Sequence, residues 1–173
     1  MRFVVQEHRG RALHFDFRLE AGGVLKSWVV PKGPSTDPKE KRLAIRRPDH
    51  PLDYATFEGV ISDGHYGVGP VIVWDTGRYE NRTMREGQDV PVEEALDRGH
   101  VVVWLEGSKL RGGYALTFAS FATGDDGWLL VKQADAFADP SGQPVRDEPR
   151  SVLTGRTLDD VERGDEGTRG AGA

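Results

Sequence analysis

Between Gln6 and Glu20 the chain reads QEHRGRALHFDFRLE, and from His14 onward polar and apolar residues alternate without a break. His14, Asp16, Arg18 and Glu20 fall on one parity, and Phe15, Phe17 and Leu19 on the other. A period of two belongs to a β-strand, whose side chains point to opposite faces in turn. The apolar set must face a core, so the polar set stands on the opposite, outer side. Gln6 and His8 share a face of the preceding segment by the same parity. Arg9 to Ala12, with Gly10 free to take a positive φ, makes a return short enough to set His8 beside His14.

Short runs rich in β-branched and aromatic residues recur along the chain between Gly, Pro and Asp: RFVVQ, HFDFRLE, VLKSWVV, RLAI, TFEGVI, VIVWD, GRYEN, VVVWLEG, YALTFASF and WLLVKQ. This spacing predicts a mostly β protein, a compact closed barrel with one short helix. The helix is PVEEALDRG, with Pro91 suited to a first turn and Gly99 past the end, and TLDDVE offers a weaker capped turn near Thr157. From about Ala136 the aromatics give way to Asp, Pro, Gly, Ser and Arg. The expected division is a barrel domain over residues 1–135 and a partly disordered extension over 136–173, the last dozen residues being disordered.

A chain of 173 residues, 37% hydrophobic, suits one domain. It has no cysteine, which excludes a disulfide scaffold, a thiolate zinc site and a cysteine nucleophile together. Any metal must be held by His, Asp or Glu. The start MRFVVQEHRG lacks a signal-peptide apolar region and runs such as VVVWL are too short to span a bilayer, so the expectation is a soluble cytoplasmic protein with no membrane partner. The net charge of −5 argues against a large nucleic-acid footprint. Residues 1–50, however, carry 11 Lys and Arg against 6 Asp and Glu. A basic half that also carries the alternating strand suits recognition of a few phosphates in one place, such as a strand end.

Two imidazoles and a carboxylate at adjacent positions, His8, His14 and Asp16, make a facial ligand set for manganese, iron or zinc that leaves positions open for a substrate oxygen. Arg18, next on that face, has the planar fork that grips phosphate or carboxylate. An ordinary solvated strand face is the bland alternative. Two histidines in register, out of five in the chain, weigh against it. The H-x-D pattern also fits an iron(II) oxygenase using 2-oxoglutarate, although those enzymes hold the metal inside the barrel. A non-catalytic module that holds DNA ends is a third reading. His50, before a proline, reads by itself as a turn residue, His65 as part of a glycine-rich turn, and His100 as the opening of a strand. The four tryptophans read as barrel core or wall, and neither GVGP nor GSKL has P-loop spacing.

The string VVQEHRGRALHFDFRLE resembles the opening signature of the phosphoesterase domain of bacterial DNA ligase D and its stand-alone relatives. The similarity continues through GVLKSWVVPKGPSTDPKEKRLA, DHPLDYATFEGVI, GHYGVGPVIVWDTGRYE, GSKLRGGYALTF and WLLVKQAD, covering roughly residues 3–135, and the later PRSVLTGRTLDDV is similar to the segment that follows such domains. The resemblance implies a compact β-barrel with its active site in a groove on the outer surface. It implies a manganese-dependent enzyme, other divalent transition metals being possible, that removes a 3′-terminal ribonucleoside and then the 3′-phosphate from DNA or RNA ends. The product is a 3′-hydroxyl for repair and end joining. By position, His8, His14 and Asp16 would hold the metal, and Arg18 and His50 would contact phosphate, with Tyr54 completing the pocket. Gln6, Lys32 and Arg42 match positions in or around the site. Implied partners are DNA or RNA 3′ ends in primer-template form, with a ligase, polymerase and end-binding protein of the end-joining system.

Two departures stand out. The family usually has an acidic residue two before the HPLDY histidine, where this chain has Pro48, so the ribonucleoside-removing step is expected to suffer first unless Asp49 substitutes. Relatives also commonly carry an N-terminal arm ahead of the position of Met1. Because His14 and Arg18 point away from the core, replacing either with alanine is expected to end phosphate release without unfolding the barrel.

Overall fold

In the computed structural model, which describes residues 1–62, 68–120 and 126–165, alternation becomes strand wherever the sequence shows it. The strands of the main sheet are β1 (Arg2–Arg9), β2 (Leu13–Ala21), β3 (Val24–Val30), β4 (Lys41–His50), β5 (Gly59–Ile61), β6 (Gly69–Asn81), β9 (His100–Gly107), β10 (Arg111–Phe118) and β11 (Gly127–Lys132). A separate two-stranded ribbon is formed by β7 (Met84–Arg85) and β8 (Gln88–Asp89). The main sheet runs β1-β2-β3-β4-β11-β10-β9-β6, all antiparallel, and β6 returns to pair with β1. That last pairing closes an eight-stranded barrel, with β5 added along β6. Closure leaves the barrel strands no open edge.

The interior is filled by the parity the sequence assigns to it: Phe15, Phe17 and Leu19 are buried with Phe3, Trp28 and Trp74 in the largest apolar cluster. VIVWD and GRYEN belong to a single long strand, β6, and RLAI extends through Arg46, Arg47 and Pro48 to His50. At Gly69, where φ is +115°, any side chain would run into the carbonyl of Arg9 at 2.0 Å, so this glycine lets β6 start tight against the end of β1.

The predicted helix is present as α1 (Val92–Arg98), closed by Gly99 in the left-handed region at φ 82°. Two further short helices appear, α2 (Pro144–Asp147) and α3 (Leu158–Arg163), the latter opened by a capping box between Thr157 and Asp160. No helix among the described residues is long and apolar enough to cross a membrane.

β11 ends at Lys132, close to the expected end of the barrel, yet the chain beyond it returns to pack on the wall. The Trp74 indole donates to the Glu148 carbonyl at 2.8 Å, and Lys109 donates to the carbonyls of Glu148 and Arg150. Leu158 and Val161 of α3 cover Ile72, and Arg9 is gripped by Asp159 at 2.8 Å and Glu162 at 3.0 Å. Glu58 is the main anchor. Its carboxylate accepts from the Val73 amide, Ser151 and Thr154 hydroxyls and the Arg156 guanidinium. The disorder expected from Val161 onward needs correction at its start, because residues 161–163 complete α3 and Val161 is buried on Ile72; the rest of it from residue 166, and the turn expected around His65, fall outside the described residues.

Candidate metal and phosphate site

Strands β1 and β2 pair in a register that sets His8 directly opposite His14 and Gln6 opposite Asp16. The donor atoms of His8, His14 and Asp16 lie within 4.8 Å of one another, on the face opposite the Phe15 and Phe17 core. The imidazole rings meet edge to face at 4.8 Å, and His14 Nε2 is 3.5 Å from Asp16 Oδ2. One nitrogen of each ring faces a backbone oxygen: His8 Nε2 the carbonyl of Val68 at 3.3 Å, His14 Nδ1 the carbonyl of Ala12 at 3.1 Å. An N–H donated to a carbonyl leaves the other nitrogen with its lone pair, the usual way a ligating histidine is held.

Charge within the trio is balanced. Burial lowers the pKa of His8, and the neighbouring His14 lowers it further, which favours the neutral ring that ligates. Burial also acts to lower His14, but its bond to Asp16 and that residue's charge outweigh it, and the net shift is upward. Burial opposes ionisation of Asp16, yet the His14 bond and the charges of Arg18 and the two histidines prevail and hold the carboxyl below its usual range. The trio fits a divalent cation: neutral nitrogen on one side, anionic oxygen on the other.

Gly10 departs from expectation in a useful way. It does not use a positive φ. A side chain there would instead rest on His8 and His14 at 3.5–3.7 Å, so the glycine keeps the approach to both rings clear.

Behind the trio lies a buried polar layer. The Arg18 guanidinium donates through Nε to Gln6 Oε1 and through Nη1 to Ser27 Oγ, both at 2.8 Å, and its Nη2 is 3.5 Å from Asp16. Gln6, fully buried, turns its amide nitrogen to the carbonyls of Tyr54 and Phe57 at 3.0 and 3.2 Å, which fixes which end of the carboxamide faces the arginine. Tyr54 comes from the 3-10 helix Leu52–Thr56, and its ring lies between Phe57 at 5.1 Å and His50 at 5.0 Å, with Arg18 over its face. His50 Nδ1 is 3.2 Å from both Arg18 Nη1 and the Pro48 carbonyl. One tautomer serves one of these contacts and the other serves the other. Burial and then Arg18 lower the His50 pKa, so the neutral ring is favoured.

His8, His14, Asp16, Arg18, His50 and Tyr54 line one cavity of about 440 Å³, whose wall is completed by Val29, Arg47 and Pro48. Two residues bear on the expectations from sequence. Arg18 is only 4% exposed, so it is bound into the wall of the barrel as well as lining the cavity. Asp49 pairs with Lys26 at 3.0 Å and with Arg46 at 3.8 Å, and acts on His50 through its charge.

The other matched residues lie elsewhere. Gln6 sits behind Arg18 rather than on the cavity wall. Lys32 and Arg42 border a different cavity of about 460 Å³, where Arg42 pairs with Glu40 at 2.6 Å. Ser27 and Arg47 escaped sequence reading. Strand parity carried along β3 and β4 would have found them, since Ser27 and Arg47 pair in register on the outer face.

Fold and site together define a class: a small closed barrel with a divalent-cation donor set on its outward strand face, beside a cationic cavity. Residues 6–117 match the family described as DNA Ligase D 3′-phosphoesterase domain, and the chain belongs to that family. It is 46% identical over 160 residues to the multifunctional non-homologous end joining protein LigD of Pseudomonas aeruginosa, an overlap of 91% of this chain and 18% of that protein. The corresponding figures are 45% over 127 residues for the LigD repair protein of Mycobacterium tuberculosis H37Rv, covering 73% of this chain and 15% of the relative. For LigD of Mycolicibacterium smegmatis they are 41% over 139 residues, 78% and 17%. The chain thus spans less than a fifth of the length of these relatives.

Proposed function

We propose that this domain is a manganese-dependent phosphoesterase that trims the 3′ ends of DNA or RNA strands to a 3′-hydroxyl during end-joining repair. The observation that carries the reading is one cavity shared by the His8, His14 and Asp16 donors and by Arg18 and His50. Family membership and the end-joining names of the relatives support it. A cation held by the trio would polarise a phosphate oxygen and ease deprotonation of an attacking water.

The protein's own groups do the rest. Arg18, fixed by Gln6 and Ser27, presents a preorganised positive charge where negative charge grows on phosphate oxygens. Neutral His50 suits hydrogen bonding to the phosphate group better than proton donation. Tyr54 walls the cavity and holds the His50 ring in place. In removal of a 3′-phosphate the water oxygen bonds to phosphorus and gives up a proton, the P–O3′ bond breaks, and the leaving oxygen takes one proton from solvent to become the 3′-hydroxyl, so that the protons balance. With Pro48 in place of the family acid and Asp49 engaged elsewhere, the ribonucleoside-removing step is the weaker of the two. The reading extends to cooperation with a separate ligase, polymerase or end-binding partner.

The donors' position outside the apolar interior weighs against an oxygenase that holds iron within its barrel. The deciding experiment incubates the protein with manganese and an oligonucleotide bearing a 3′-phosphate. Phosphate release is expected. Binding without release would favour an end-holding module, and turnover of 2-oxoglutarate an oxygenase.

A further inference from the structure

One cation on the cavity wall, Arg47, stands outside the buried polar layer around Arg18. Along β4, Ala44 is buried in the core and Arg46 turns inward to cover Trp28 at 4.8 Å from the ring centre. Alternation therefore sends Arg47 to the outer face, in register with Ser27, the hydroxyl that receives Arg18. Arg47 is exposed and lines the same cavity as the metal trio. Among the described residues its guanidinium has neither a hydrogen bond nor an ion pair. The nearby carboxylate that would neutralise it, Asp49, is taken by Lys26 and Arg46. Pro48 biases the backbone of Arg47 toward extended geometry, which keeps the side chain on this face. Among the described residues Asp16, in the trio, is the one carboxylate on the cavity wall, so a second anion entering beside the trio meets Arg47 as an uncompensated cation.

We propose that Arg47 binds the phosphodiester next to the terminal group being processed, so that the site prefers the end of a nucleic-acid strand to a free nucleotide. This rests on the phosphoesterase reading and names its substrate class: at least two phosphates in series, one for the trio with Arg18 and one for Arg47. An arginine fork suits a phosphodiester with two unbridged oxygens, and a lysine in its place keeps only the charge.

The test uses the manganese-loaded full chain, with a short 3′-phosphorylated oligonucleotide and a nucleoside 3′-monophosphate as paired substrates. Arg47→Ala should raise KM for the oligonucleotide roughly fivefold to tenfold, the worth of one charge-assisted contact, with kcat unchanged. Kinetics on the mononucleotide should not change, and Arg47→Lys should fall between. Fluorescence anisotropy with labelled oligonucleotide should show the slope of log affinity against log salt falling by about one unit in Arg47→Ala. Equal losses on both substrates, or an unchanged KM and salt slope, would overturn the proposal. If salt-dependent binding needs Arg47 but neither substrate is cleaved by the wild type, the Arg47 contact stands and the phosphoesterase reading falls.

Discussion

Arg18 shows how a site residue can also be a structural one. Three partners surround it in a buried layer, and cutting it back would leave the Gln6 carboxamide oxygen without its donor and take one bond each from Ser27 and His50, which keep the Leu25 and Pro48 carbonyls. Arg18→Ala is expected to cost about 2–4 kcal/mol of stability, read from urea unfolding, so loss of activity in that variant alone does not separate chemistry from folding. Arg18→Lys keeps the charge and loses the fork, and should remain folded while losing most activity. His14 is simpler. Manganese at a hundred times its dissociation constant should stabilise the wild type by about 2.7 kcal/mol, a rise of roughly 5–10 °C in Tm, and His14→Ala should abolish the rise. The trio was legible in the sequence because its ligands lie on two short neighbouring strands, where parity alone decides who faces whom. The roles of Gln6 and Ser27 were not, because they depend on which carbonyls and strands arrive from residues 25–57.

At the scale of elements, apolar periodicity revealed the barrel strands and concealed what holds the C-terminal segment. That segment is rich in Pro, Gly and Asp and attaches mainly through polar contacts to a few points on the wall. Glu58, nearly buried, gathers three of them, through Ser151, Thr154 and Arg156, and it follows directly on Phe57, whose carbonyl orients Gln6. Glu58→Ala should destabilise the protein by about 2–4 kcal/mol, with faster amide exchange across residues 151–165 as the local signature. Unchanged exchange there would mean that Leu158 and Val161 on Ile72 suffice. Truncation after Asp135 should lower Tm further, because it uncovers Ile72 and strips the Trp74 indole of its acceptor.

For the molecule as a whole, a buried carboxyl and a half-buried amine outside the site set opposing pH dependences. Burial raises the Glu7 carboxyl to about 7 against the pull of Lys109 and Arg9. The folded state holds that proton more tightly than the unfolded chain, so this contribution to stability declines between about pH 4.5 and 7. Burial lowers Lys109 to about 8, so the unfolded chain holds more protons from there to about 10.5 and stability gains as pH rises through that window. Between pH 5 and 8, Glu7→Gln should therefore gain about 1–3 kcal/mol relative to wild type, and Lys109→Met should flatten the alkaline gain, both read from denaturant midpoints. A closed barrel was expected, but that β6 is the strand that closes it onto β1 was not legible, since nothing local in either strand names a partner some seventy residues away.

That closure has a consequence for how the site assembles. The three candidate cation ligands lie within nine consecutive positions across one hairpin, whereas Arg18, His50 and Tyr54 are brought together only once β3, β4 and the 3-10 helix have docked. Short chain segments meet at low entropic cost and long ones do not. The donor set that could hold an ion is thus the part of the site whose assembly closes the shortest loop of chain, and the phosphate-facing part the one that closes the longest.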